Sequence, residues 1–413
     1  MRYHPTKAEK SIPRGGRRAP VKNRFLARLL LLFILLSFLS GLSLSAQARE
    51  RGEVTVYFPS WNIYQDAGCR VERLPWDKID GIHHAFWKIT PTEKGYALVS
   101  ADPWADTAAE NPNAHFPAYA RMHKQYPQVK ISLSIGGWTC CGYFSQMAST
   151  AAGRASFIAS CLDTLEAYPF FSGLDLDWEY PGQARPADKG SEGNPVAGDD
   201  WTNYTLLLKE LRAGLDSRFG KGKKQLTICA AGAVALLKKQ DYASLFPYVD
   251  RVQLMTYDLL GTDPAVIAHH APVYGSLSAD TAVKYLQKQG VPAGKIAIGC
   301  PLYGYGWRTE HPEKPLLGQS STKLPQKTWK NLRSLENAPG WHTGYDEEAQ
   351  AAFLWNGDPA SPDYGAVYSY ESQRSLKARL NYIRVHGLGG LIVWECGGDD
   401  REAGWPMLTQ MCP

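Results

Sequence analysis

The segment SGLDLDWEYP, residues 172–181, sets Asp175, Asp177 and Glu179 at alternate positions among Leu174, Leu176 and Trp178. Side chains on an extended strand alternate between its faces, so the three carboxyls share one face and the three apolar residues the other. Three acids crowded into one low-dielectric site cannot all ionise cheaply, and at least one pKa is expected to rise. A carboxylic acid kept protonated near neutral pH is what cleavage of a glycosidic bond needs; Glu179, outermost and longest, is the natural donor. Clustered carboxylates also suit Ca²⁺ or Mg²⁺, and this segment alone leaves that alternative open.

Such a strand needs a frame. Short apolar or β-branched runs recur at 54–58, 81–89, 130–138, 173–180, 226–233, 251–258, 295–304 and 387–395. Between them lie stretches of helical periodicity such as 202–219, 278–290 and 372–387. Eight runs in this alternation predict an α/β fold, a closed (β/α)8 TIM barrel, with the acids pointing inward near the C-terminal end of the fourth strand. Barrel active sites are built at that end. Between Gly306 and Tyr370 the alternating stretches YDEEAQAAFLW and AVYSYES, with Pro, Gly and Trp around them, predict a small α+β insertion on the seventh βα connection, spanning 306–370. The catalytic barrel as a whole is expected over 49–413.

The chain has 413 residues, which suits one barrel with an insertion. Its formal charge of +5 arises at the N-terminus. Residues 1–48 hold nine Lys/Arg and one acid, leaving 36 basic against 39 acidic residues and no general basic field for nucleic acid. The same stretch is basic up to Arg28, then apolar (LLLLFILLSFLSGLSLS), then Ala46-Gln47-Ala48, the pattern of a secretory signal. A secreted or periplasmic monomer without stable membrane association is therefore expected, an uncleaved anchor being the alternative. Eight cysteines, at 69, 140, 141, 161, 229, 300, 396 and 412, fit an oxidising compartment but show no metal-type spacing. Cys229 and Cys300, inside strand-like runs, read as buried free thiols.

Further segments fall in a telling order: YFPSW (57–61), SIGGW (134–138), GLDLDWEYP (173–181), MTYD (255–258), GCPLYG (299–304) and GGLIVWE (389–395). Together they resemble family 18 glycoside hydrolases, the chitinases, over nearly the whole chain beyond the N-terminal segment. The resemblance implies chitin or chito-oligosaccharides as substrate, with no cofactor and no metal. It implies a retaining, substrate-assisted reaction in which the sugar's own N-acetyl oxygen is the nucleophile. Glu179 would then be acid and base, Asp177 the group that orients the acetamido N–H, and Asp175 its deeper partner, sharing a proton with it.

Tyr257 and Asp258 resemble residues that grip the N-acetyl group and the distorted sugar, Met255 lines the same wall, and Trp394 resembles the apolar floor. Tyr57 and Ser134 match inner-barrel positions supporting the aspartate pair, and Tyr180 and Tyr303 fall in the matched motifs as substrate contacts. Phe86, Trp138, Trp201 and Trp307 are candidate sugar-stacking platforms, with simple packing the alternative for each. Non-proline cis peptides are implied at Ala85-Phe86, Glu179-Tyr180 and Trp394-Glu395. His83 and His84 read as structural, and His269-His270 as a possible cleft wall after the sixth strand. Ser172 stands where the family often has Asp, and Tyr305 where many members with an insertion carry Arg, which leaves subsite preference open. An endo-β-N-acetylglucosaminidase would use the same acids. A non-catalytic lectin of this fold would be expected to lack Glu179.

Overall fold

The computed structural model describes residues 52–65, 69–261, 263–314 and 316–411. The segment read as an export signal lies outside them. Eight parallel strands close into a barrel: β1 (Glu53–Pro59), β2 (Gly81–Thr92), β4 (Lys130–Gly136), β5 (Gly173–Asp177), β6 (Gln225–Ala231), β7 (Arg251–Met255), β8 (Ile296–Pro301) and β14 (Gly390–Trp394). Closure is made by β1, which pairs with β14 on one side and β2 on the other. A further strand, β3 (Gly95–Ser100), runs antiparallel along the outer part of β2. The sequence reading did not anticipate it, because GYALVS is short and lacks the alternation of apolar and polar residues.

Among the described residues five helices have ten residues or more: α1 (His115–Gln125), α2 (Ala151–Ala167), α3 (Asp200–Phe219), α4 (Ala279–Lys288) and α5 (Gln373–His386). Their starts follow from side-chain chemistry. Thr150, Asp199, Ser278 and Ser372 each accept a hydrogen bond from a first-turn backbone N–H, and the last two form capping boxes with Thr281 and Ser375. Gly387 ends α5 in the left-handed conformation at φ 61°, which a side chain resists.

A second sheet is antiparallel, in the order β10-β9-β13-β12-β11. Its strands are β9 (Tyr303–Arg308), β10 (Thr322–Thr328), β11 (Trp341–Asp346), β12 (Ala351–Asn356) and β13 (Ala366–Tyr370). It leaves the chain directly after β8, so the seventh run read at 295–304 is in fact two strands broken at Leu302. The fourth run is also shorter than read: the ladder stops at Asp177, and Trp178 and Glu179 lie just past it.

Alternation on β5 does what its pattern dictates. Leu174, Leu176 and Trp178 face outward into the main core, where Trp178 stacks on Phe144 at 5.1 Å and meets Tyr204 of α3 edge-on at 5.2 Å. Behind β2, the Asp106 carboxylate accepts from His84 Nε2 at 2.8 Å, Trp87 Nε1 at 2.8 Å and Ser100 Oγ at 2.6 Å. His84 thus has the structural role its sequence context suggests, and His83 pairs with Gln253 at about 3.1 Å.

The second sheet is fastened to the barrel by Arg379 of α5. Fully buried, it donates to Glu371 Oε2 at 2.8 Å, just after β13, and to the Ala271 carbonyl at 2.6 Å, in the connection after β7. Removing one partner leaves the other charge buried and alone. Arg379→Ala is accordingly expected to lower unfolding free energy by about 3–5 kcal/mol in a urea titration. A change below about 1 kcal/mol, the range of exposed ion pairs, would contradict this assignment.

Candidate active site

Asp175 is the deepest of the three acids and is fully buried. Four other barrel strands turn a donor toward it, β4 and β6 alongside β5 and β1 and β7 further round: Tyr57 OH from β1 at 2.8 Å, Ser134 Oγ from β4 at 2.8 Å, Thr227 Oγ1 from β6 at 2.6 Å and Gln253 Nε2 from β7 at 2.7 Å. Four donors match the lone-pair capacity of one carboxylate. Tyr57 and Ser134, matched by the resemblance to inner-barrel supports of the aspartate pair, both bond Asp175, and Ser134 is closed to solvent.

Asp177 stands one step further out, still buried, and its Oδ1 has no hydrogen-bond partner. Burial first, then the charges of Glu179 and Asp175, push its pKa well above the ordinary carboxylate range. The close approach of β4 shapes this corner. A Cβ on Gly136, at φ 107°, would meet the Asp177 carbonyl at 2.4 Å, and one on Gly137 would strike the Phe86 ring at the same distance. The glycines of SIGGW are therefore steric requirements of the site.

Glu179 reaches the opening, partly exposed at its surface yet ringed by protein. Burial raises its pKa to about 7; the Asp258 charge pushes the same way, while a bond from Tyr180 and the Arg185 charge oppose. The Glu179 backbone N–H is 3.3 Å from Cys141 Sγ, which lies 3.2 Å from the Gly137 carbonyl and ties the acid's main chain to the β4 end.

Above these acids opens a cavity of about 380 Å³, whose lining includes Tyr57, Phe86, Trp138, Tyr180, Met255, Tyr257, Asp258 and Trp394 along with Asp177 and Glu179. Trp394 forms an aromatic floor, stacked with Phe86 at 5.7 Å and edge-on to Tyr57 at 5.4 Å. The peptides Ala85-Phe86, Glu179-Tyr180 and Trp394-Glu395 are cis, as the resemblance implies. Tyr257 fits because residue 299 is glycine; a Cβ there would meet its ring at 2.6 Å. A second cavity of about 650 Å³ shares Trp138, Glu179, Tyr180, Leu236 and Asp258 and adds Gln183, Arg185 and Tyr305, extending the cleft past the acid.

Asp258, at φ 61°, accepts hydrogen bonds from Tyr303 and Tyr305, and its burial among them raises its pKa. His270, fully buried, packs on both tyrosine rings at 5.3 and 5.4 Å, and His269 bonds Asp346 of β11 at 3.1 Å. These histidines back the cleft rather than face it. Two of the suggested platforms lie elsewhere. Trp307 is buried in the second sheet's core with its N–H on the Pro264 carbonyl, and Trp201 packs against Gly182 near Trp178 and Tyr204. Both were apolar enough to be read either way.

Sequence reasoning missed Trp61, Cys229, Leu236 and Arg185 as cleft residues. Trp61 lay inside the quoted YFPSW motif and could have been named. Arg185, whose guanidinium lies 3.9 Å over the Trp138 ring, comes from a loop without a readable pattern. Cys229 was read as a buried thiol and is one, 2.9 Å from Tyr57 OH, but it also borders the cavity.

Because the Asp258 charge raises the Glu179 pKa and the Arg185 charge lowers it, Asp258→Asn is expected to move the Glu179 midpoint down from about 7 and Arg185→Gln to move it up. A ¹³C-carboxyl titration of labelled protein reads both shifts; midpoints unmoved in both variants would discard this electrostatic account.

The chain as a whole is similar to known proteins. Chitinase A1 of Niallia circulans is 29% identical, matching 91% of this chain and 60% of its own length. Chitinase ChiA74 from Bacillus thuringiensis superposes with a TM-score of 0.74 at 26% identity, over 84% of this chain and 66% of that one. A family 18 N-acetylglucosaminidase from Paenibacillus barengoltzii superposes with a TM-score of 0.70 at 27% identity, over 87% and 99%. The chain spans 60%, 51% and 47% of the length of three curated chitinases that it matches. The sequence model of the glycosyl hydrolases family 18 fits residues 53–399, from the first residue of β1 to just past β14, and this chain belongs to that family.

Proposed function

We propose that this chain is an exported chitinase that hydrolyses β-1,4 linkages between N-acetylglucosamine units with retention of configuration. The observation that carries the reading is the pairing of two acids. Glu179, with a pKa near about 7, stands at the cavity opening beside Asp177, whose buried Oδ1 has no partner. The first can give up a proton at neutral pH; the second is a vacant acceptor where an acetamido N–H would arrive.

On this reading the sugar preceding the scissile bond lies over Trp394, with its acetamido group among Tyr257, Met255 and Asp177. Glu179 protonates the glycosidic oxygen as the C1–O bond breaks, and the N-acetyl carbonyl oxygen bonds to C1, giving an oxazolinium ion. Asp177 accepts the acetamido N–H and offsets the positive charge. The carboxylate of Glu179 then takes a proton from water, whose oxygen attacks C1 and reopens the ring. Two inversions at C1 give net retention, and Glu179 ends protonated as it began.

Asp175 acts on Asp177 from below, its charge adding to the burial that raises the Asp177 pKa. Trp138, Phe86 and Tyr180 serve as sugar contacts, and Asp258, with Tyr303 and Tyr305, faces the sugar beyond Glu179. Tyr305 supplies one donor where many relatives with an insertion have a charged fork, so this end of the cleft should grip more loosely. The sheet β9–β13 is assigned as the family's α+β insertion, walling one side of the groove. Export rests on the basic, apolar and small-residue pattern of residues 1–48.

A second reading, cleavage of another N-acetylglucosamine-containing glycan, is favoured by the likeness to the Paenibacillus barengoltzii N-acetylglucosaminidase. Product analysis on chitin and on a glycoprotein glycan separates the two. Glu179→Gln is expected to lower turnover of a chromogenic chitobioside by at least about 100-fold, the contribution of a general acid, while oligosaccharide binding followed by tryptophan fluorescence persists. Turnover near that of the unaltered chain would refute the assigned donor. Fully deacetylated chitosan should not be cleaved at all, because it lacks the internal nucleophile.

A further inference from the structure

Outside the acid cluster, one pair of groups has chemistry that the proposed reaction does not use. Cys69 and Cys396 are both buried, and their sulfurs lie 3.9 Å apart although 327 residues separate them in sequence. The other described cysteines sit elsewhere: Cys161 in α2, Cys229 on β6, Cys300 on β8, and Cys140 and Cys141 after β4.

The place of the pair in the fold matters. Cys396 is two residues beyond Trp394, the cavity floor, and begins a short 3-10 turn. Cys69 follows the segment Ser60–Tyr64, which carries Trp61 on the cavity rim. Trp61 meets Trp394 at 6.3 Å and Phe86 at 6.2 Å. Asn62 already bridges the two segments, donating from Nδ2 to Glu395 Oε2 at 2.9 Å and lying 3.6 Å from Cys396 Sγ.

We propose that Cys69 and Cys396 form a disulfide that staples the Trp61 rim of the cleft to the end of β14. The bond needs the sulfurs to close from 3.9 Å to about 2.05 Å, a movement assigned to rotation about the two side chains. Each thiol loses a proton and the pair gives up two electrons. By thiol–disulfide exchange these reduce an oxidised disulfide, of a small molecule or of a dithiol oxidoreductase, to two thiols. A bond across so many residues restrains the unfolded chain strongly, so its contribution is to stability as well as to the placement of Trp61.

The test uses the full chain equilibrated in oxidised and reduced glutathione, quenched with an alkylating agent and digested without reductant. Mass spectrometry is expected to find the Cys69 and Cys396 peptides joined, two hydrogens lighter than the separate thiols. Reduction should lower the thermal midpoint by several degrees in the unaltered chain but not in the folded double variant Cys69→Ala/Cys396→Ala. Full alkylation of both cysteines in folded, oxidised protein, or their joining to other cysteines, overturns the proposal. These readouts need no substrate, so absence of the bond and absence of chitin cleavage are separate results.

Discussion

Burying a carboxylate inside a closed barrel is the constraint around which this molecule is arranged. A charge taken out of water is tolerated when donors replace the water it lost. Asp175 obtains them from β1, β4, β6 and β7, one side chain each, at 2.6 to 2.8 Å. Each donor is correctly aimed when its strand is in register, so the acid cluster and barrel closure depend on one another. Burial, then the charges of Glu179 and of Asp175 below it, raise the pKa of Asp177, whose Oδ1 has no hydrogen-bond partner.

Three acids, two on β5 and one just past its end, thereby come to occupy three environments. The deepest is saturated with donors, the middle one is desolvated and flanked by two other acids, and the outermost is close to water with a pKa near about 7. Such separation of neighbouring titratable groups is how one site holds an acceptor and a proton donor at the same pH. The strand's alternation makes the gradient possible, since each step of two residues along β5 moves a carboxyl one layer nearer the cleft.

Much of this was legible in the sequence, and the reasons differ by residue. Period-two alternation in GLDLDWE, and the eight apolar runs, fixed the acids to one inward face because strand geometry leaves no other arrangement. The glycines of SIGGW and GCPLYG were readable as motif residues, but their reason, the close approach of Asp177, Phe86 and Tyr257, is visible in three dimensions alone. Trp307 and Trp138 show the limit. Both are tryptophans after barrel strands, yet one is wholly buried and the other about half exposed, and nothing within a few residues of either distinguishes them. Arg185 was missed because its loop carries no local pattern, and β3 because the short run GYALVS does not alternate; contact with Trp138 places the first, and pairing with β2 the second.

The charge pattern of the cleft also bears on which polymers the proposed reaction suits. Asp177, Glu179 and Asp258 line the cavities with Arg185 opposite, so on the proposed reaction the acids would stabilise an oxazolinium cation and disfavour an anionic substituent beside Asp177. A glucosamine unit, though cationic and attracted, brings no acetamido oxygen to C1. Neutral N-acetylglucosamine therefore satisfies both demands at that position, field and nucleophile together. Further from Glu179 the constraint relaxes. There Arg185 stacks on Trp138 and Tyr305 bonds Asp258, so discrimination among neutral glycans falls to shape and stacking instead of charge.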